Sequence, residues 1–163
     1  MIPKELQDEL NKQLNRELYS AYLYLSMAAY FDYKGLSGFA HWMRVQAKEE
    51  LEHAMKFYEF INDRGGRVEL YKVDEPPREW KSVTDVFREA LEHEKIVTKH
   101  INDLVDLARK LDDKPTEVFL HWFVTEQVEE EKIFQEILQL LEFSGETPQA
   151  VLMLNARLGQ RKH

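Results

Sequence analysis

The chain has 163 residues, 44% of them hydrophobic, a size and composition that fit one domain, residues 1–163, with a real core. Its 30 acidic and 22 basic side chains leave a formal net charge of −8, which argues against phosphate-driven nucleic-acid binding. Cysteine is absent, so disulfides, thiolate metal sites and cysteine nucleophiles are excluded.

The N-terminal stretch is charged from Lys4 onward and lacks the apolar region of a secretory signal. No apolar run approaches the ~20 residues that span a membrane. A cytoplasmic protein that uses neither nucleic acid nor membrane is expected. The first helix is expected from about Pro3 to Tyr33, with Pro3 suited to a first turn where its missing N–H has no partner. The second runs from about Ser37 to Arg64 and stops at Gly65-Gly66. The third starts near Ser82, with Asp85 three residues on as a weak capping box, and ends near Leu111. The fourth runs from about Asp113 to Phe143, with Pro115 tolerated in its first turn. A short fifth has Thr147 as N-cap and Pro148 at N1, and ends near Leu158. No run shows strand alternation. The first-to-second and third-to-fourth links are short, which makes antiparallel hairpins. The second-to-third link, Gly65 to about Lys81, is long and contains Pro76-Pro77. Two hairpins joined by one long crossover make an all-α four-helix bundle.

Polar side chains interrupt the apolar stripes of all four long helices. Residues at i, i+3, i+4 and i+7 share a helix face. Glu17 and Tyr24 lie on the face of Leu6, Leu10, Leu14, Ala21, Ala28 and Phe31. Glu50 and His53 fall within the stripe of Phe39, Met43, Phe57, Phe60 and Ile61. Glu94 sits among Val83, Phe87, Ala90, Val97 and Ile101. Gln127 and Glu130 sit among Phe119, Phe123, Phe134, Ile137 and Leu141. A buried, unpaired carboxylate is very costly, so four facing one another need a shared countercharge. A pair of metal ions supplies it. Oxygen ligands with one imidazole suit iron, and also manganese or zinc. Glu50 and His53 form a Glu-x-x-His, whose i, i+3 spacing lets both side chains share a metal. Alone that motif is weak in a glutamate-rich helix. With Glu17, Glu94 and Glu130 it matches the arrangement of di-iron bundles.

The segments Asn15-Arg16-Glu17-Leu18-Tyr19-Ser20-Ala21-Tyr22-Leu23-Tyr24, Glu49-Glu50-Leu51-Glu52-His53-Ala54, Glu92-His93-Glu94 and Glu126-Gln127-Val128-Glu129-Glu130-Glu131 occur in this order, with Arg64-Gly65-Gly66-Arg67-Val68 between the second and third. Along nearly its whole length the chain resembles a bacterial or archaeal non-haem ferritin. The resemblance implies a ferritin-like fold with a short fifth C-terminal helix. It implies that Glu17, Glu50 and His53 ligate a first iron, and that Glu50, Glu94 and Glu130 ligate a second, with Glu50 bridging. Gln127 matches a glutamine near the second iron. Tyr24 matches a tyrosine beside the pair, implied to aid electron transfer. Glu49, Glu126 and Glu129, with Glu130, match a third iron position of some of these proteins. Haem is not expected, because the haem-binding relatives carry a second Glu-x-x-His on the fourth helix, where this chain has Gln127-Val128-Glu129-Glu130. Their haem methionine position is Leu51 here.

The same resemblance implies oxidation of Fe(II) by dioxygen or peroxide, iron storage as ferric mineral, and a hollow shell of twenty-four subunits. Blander readings exist for several of these residues. Glu49, Glu126 and Glu129 equally suit solvated charges, as Glu52 and Glu131 do better still. Tyr24 suits a core tyrosine with a satisfied hydroxyl, and Gln127 a simple hydrogen bond to a neighbour. His41, His93, His100 and His121 read as structural or surface residues. Trp42, Trp80 and Trp122 read as packing, and Arg161-Lys162-His163 as a solvated end. A rubrerythrin-like peroxidase would bring a cysteine-held iron, which this chain lacks. A DNA-protecting mini-ferritin would build its site between subunits. A helical scaffold leaves four inward carboxylates in register unexplained.

Overall fold

The computed structural model describes residues 1–163 as five helices and no strand. The helices are α1 (Lys4–Tyr33), α2 (Ser37–Asp63), α3 (Val83–Lys110), α4 (Lys114–Ser144) and α5 (Pro148–Leu158). No bound differs from the expected one by more than a residue. Local chemistry accounts for the ends. The Ser82 hydroxyl accepts from the Asp85 N–H at 3.1 Å and caps α3. Thr147 caps α5 in the same way through the Ala150 N–H, with Pro148 in the first turn. Gly145 ends α4 at φ 65°, a left-handed conformation that costs glycine little.

α1 packs chiefly on α2, and α3 on α4, as two hairpins. The crossover from Gly65 to Lys81 climbs α1 one polar contact at a time. Asn11 donates to the Arg67 carbonyl, Asn15 to that of Lys72, Ser26 to that of Pro77 and Tyr30 to that of Trp80. These bonds satisfy the backbone of a segment with no ladder of its own. They carry the chain the length of the bundle, so that α3 starts beside the far end of α1. α2 and α3 therefore run parallel.

The apolar core falls into two clusters. One gathers Tyr24, Met27, Phe31, Phe39, Met43, Phe87 and Phe134. The other gathers Leu6, Leu10, Leu14, Phe57, Ile101, Leu120 and Phe123. Between them lies a buried polar layer containing Gln13, Glu17, Gln46, Glu50, His53, Glu94, Gln127 and Glu130. Ala21, expected on the inward face, sits half-buried at its edge and opens onto an outer groove with Leu18, Tyr22, Leu25 and Leu51.

α5 closes one end of the bundle against α2. Asn155 Oδ1 accepts from the free N–H groups of Gly38 and Phe39 at 2.8 and 3.1 Å, capping α2 from another element. A Cβ at residue 38 would lie 1.7 Å from the Asn155 carbonyl oxygen, so the approach requires glycine. Gly38→Ala is expected to destabilise the protein by about 3 kcal/mol through overpacking. Asn155→Ala should cost about 1 kcal/mol for the lost cap. Denaturant midpoints check both.

Candidate metal centre

Each long helix delivers one carboxylate to the polar layer because each carries it within an apolar stripe. Burying the stripe buries the charge. Glu17, Glu50, Glu94 and Glu130 are each at most 2% exposed, and His53 is 5% exposed. Their ligand atoms form overlapping sets in which every member lies within 4.8 Å of the others. One set is Glu17, Glu50 and His53; another is Glu50, Glu94 and Glu130. Glu50 belongs to both. A third set joins His53, Glu126 and Glu130. His53 Nδ1 stands 3.3 Å from Glu50 Oε2 and 3.8 Å from Glu17 Oε2.

Other side chains hold these in place. Gln13 Nε2 donates to Glu17 Oε1 at 3.1 Å, and Gln46 Nε2 donates to Glu50 Oε1 at 3.0 Å and Glu130 Oε2 at 2.7 Å. Tyr24 donates its hydroxyl to Glu94 Oε1 at 2.6 Å, while its ring stacks on Phe134. Gln127 Nε2 donates to Glu94 Oε2 at 3.1 Å and to the Thr98 hydroxyl. Glu17 Oε2, by contrast, is buried with no hydrogen-bond partner. A buried carboxylate oxygen left without a hydrogen bond, close to Glu50 and His53, fits a cation better than it fits a satisfied core group. The donor set, oxygen with one imidazole and no sulfur, fits a hard or borderline divalent ion such as Fe(II).

Burial lifts the Glu94 carboxyl from 4.5 to about 7, against the hydrogen bonds from Tyr24 and Gln127. Burial also drives Glu50 and Glu130 well above the usual carboxylate range, and the Glu94 charge adds to both. Burial would raise Glu17 too, but His53, Glu50 and Gln13 outweigh it and its carboxyl is lowered. Burial would lower His53, yet the bonds and charges of Glu17 and Glu50 raise it to about 11. Burial, then Glu94, pushes the Tyr24 phenol well up, so it stays a donor. Burial thus favours the neutral forms of these three carboxyls, and a cation binding them would compete with protons.

Of the residues expected at a third position, only Glu126 and Glu130 are brought together. Glu126 is half-buried and joins His53 and Glu130. Glu129 is exposed and belongs to no ligand set. Glu49 is bound by Arg161 at 2.9 Å and belongs to none either. The expectation of a solvated end at Arg161 is therefore corrected, because its side chain is only 15% exposed and its charge is drawn to a carboxylate. Glu131 is likewise half-buried and accepts from Thr98. His93 is half-buried against the Ser20 hydroxyl at 2.7 Å, and burial lowers its imidazole to about 4. Trp122 is 41% exposed, covers His53 edge-on and carries Lys56 over its ring. Sequence reasoning passed over Gln13 and Gln46. Their signal was available, since each lies four residues before a ligand on the same stripe.

Comparison with known proteins agrees with the fold. Residues 7–144 match the family model described as a ferritin-like domain. A bacterial non-heme ferritin of Bacteroides fragilis is 42% identical over 161 residues, covering 99% of this chain and 100% of its own. Its counterpart in Staphylococcus aureus is 38% identical, covering 99% and 97%. An open pore ferritin from the archaeon Archaeoglobus fulgidus is 51% identical and superposes with a TM-score of 0.98, covering 99% of this chain and 100% of its own.

A group whose carboxyl is raised on folding binds more protons folded than unfolded, so its contribution to stability is lost as pH rises. For Glu94 that window runs from 4.5 to about 7. The metal-free protein is expected to lose melting temperature across this window. Glu94→Gln should lose less, and saturating Zn(II) at pH 7 should restore the loss. Thermal melts at stepped pH check all three.

Proposed function

The chain belongs to the ferritin family of iron-storage proteins, and from that premise we propose that it oxidises Fe(II) with dioxygen at the Glu17–Glu50–His53–Glu94–Glu130 cluster and stores the ferric product inside a shell of its own copies. The observation that carries this reading is the double membership of Glu50. Two candidate ligand sets meet at this one carboxylate, an arrangement suited to two ions side by side. Two Fe(II) ions give one electron each. Dioxygen takes both, with two protons, and leaves as hydrogen peroxide. The pair is substrate, and the oxidised iron moves on to the mineral.

The chain's own residues supply geometry and charge. Glu17, Glu50 and His53 hold one ion; Glu50, Glu94 and Glu130 hold the other. Tyr24 and Gln127 fix Glu94 from two directions. Tyr24, packed between the pair and the aromatic core, is also placed to pass an electron. A third, weaker cation position falls to Glu126 with Glu130 and His53, with Glu49 and Glu129 joining only after rearrangement. No haem is required by this chemistry.

Assembly is supported by exposed apolar surface in two places. Tyr22 and Leu25 on α1 and Leu51 on α2 line one outer groove at about half exposure. Leu140, Phe143 and Met153 line a second one between α4 and α5. Faces of this kind suit closed symmetric association, and a shell of twenty-four copies is the form proposed. No helix is long and apolar enough to cross a membrane, and we place the protein in the cytoplasm, acting as one ferritin-like domain.

Fe(II) added aerobically to metal-free protein should give a fast ferric absorbance rise. Glu50→Ala with His53→Ala should slow the initial rate at least about 100-fold, since it removes ligands of both ions. Equal slow rates in both proteins would overturn the assignment. Tyr24→Phe should keep metal binding and slow oxidation several-fold.

A further inference from the structure

Gln13 is completely buried and belongs to none of the ligand sets. It lies one turn before Glu17 on α1, and its Nε2 donates to Glu17 Oε1 at 3.1 Å. Arg16 Nη1 donates in turn to Gln13 Oε1, also at 3.1 Å. This is the one hydrogen bond that the guanidinium makes within the chain, and it goes to a neutral amide rather than to a carboxylate. Arg16 is half-buried and lines a cavity of about 350 Å³ with Glu5, Glu9, His100 and Asp103. Its side chain therefore links the surface between α1 and α3 to the wall of the metal centre.

A glutamine amide carries an acceptor oxygen and a donor NH2, and the two trade places when it turns over. With Arg16 on the oxygen, the NH2 faces Glu17. Turned over, the amide would set its oxygen against a carboxylate and its NH2 against a guanidinium. Arg16 thus decides which way Gln13 faces, and Gln13 decides which Glu17 oxygen is committed. Oε1 is taken by the amide. Oε2 has no hydrogen bond and stands 3.8 Å from His53 Nδ1.

We propose that Arg16 is a positioning residue of the metal centre: it fixes the Gln13 amide, which ties up Glu17 Oε1 and leaves Glu17 Oε2 to share a cation with Glu50 and His53. This rests on the reading of the cluster as a metal pair. A positive charge near a cation position opposes binding there. The two roles open to Arg16 therefore differ in sign. An arginine that acts only through its charge leaves tighter binding when removed. One that acts through Gln13 leaves weaker binding.

The test is a graded Zn(II) soak of crystals of the assembled, metal-free protein, with the anomalous peak at the zinc edge read at each position separately. Arg16→Met keeps the apolar stem and loses the donors. It should need about 10-fold more Zn(II) to half-fill the position on Glu17, Glu50 and His53. The position on Glu50, Glu94 and Glu130 should shift far less. Gln13→Met should give the same selective loss, and Arg16→Met combined with Gln13→Met no more than either alone. Tighter or unchanged filling in Arg16→Met would overturn the proposal. So would an equal loss at both positions, or losses that add in the double variant. A wild type with no zinc peak on the cluster would instead sink the metal-pair reading itself.

Discussion

Four glutamates buried at the middle of one bundle are the constraint on which the rest of the structure turns. Each is at most 2% exposed, and each interrupts a stripe that would otherwise be continuous apolar packing. Removing even one ionised carboxylate from water costs several kcal/mol unless it is paired. Against that cost burial raises the Glu50, Glu94 and Glu130 carboxyls toward their neutral forms, Glu17 and Glu50 raise the His53 imidazole between them, and Gln13, Gln46 and Gln127 donate amides. One oxygen of Glu17 is left without a hydrogen-bond partner. A protein selected for stability alone would fill this layer with leucine. Two apolar clusters, one on each side, hold the layer together.

The chain topology follows from placing that layer. Its four carboxylates come from four helices at one height. The hairpins supply neighbouring pairs, and the crossover sets the second hairpin in register by bonding stepwise to Asn11, Asn15, Ser26 and Tyr30 of α1. Arg64 and Asp113 clamp the far end of the bundle, where their ion pair holds the Asp113 carboxyl down at about 2.

Much of this was legible in the amino-acid order. The helix ends follow from Ser82, Thr147, Pro148 and Gly145, whose preferences act within a turn or two. The buried carboxylates show themselves as charges out of place on an apolar period. What stayed hidden depends on contacts between distant segments. Nothing local to Arg161-Lys162-His163 says that it returns to α2, because that path is set by α5 docking on Gly38. Glu49 and Glu129 enter an expected third position only through the resemblance, and only the fold reveals the guanidinium that holds Glu49 and the solvent that surrounds Glu129.

The central claim is that the buried carboxylates exist to hold two ions sharing Glu50. Anomalous diffraction at the iron edge, from crystals loaded with Fe(II) without oxygen, tests it most directly. The account predicts two iron peaks per chain about 3.5–4 Å apart, one on Glu17, Glu50 and His53 and the other on Glu50, Glu94 and Glu130. A single peak away from Glu50, or none with the carboxylates still bonded to one another, would contradict it.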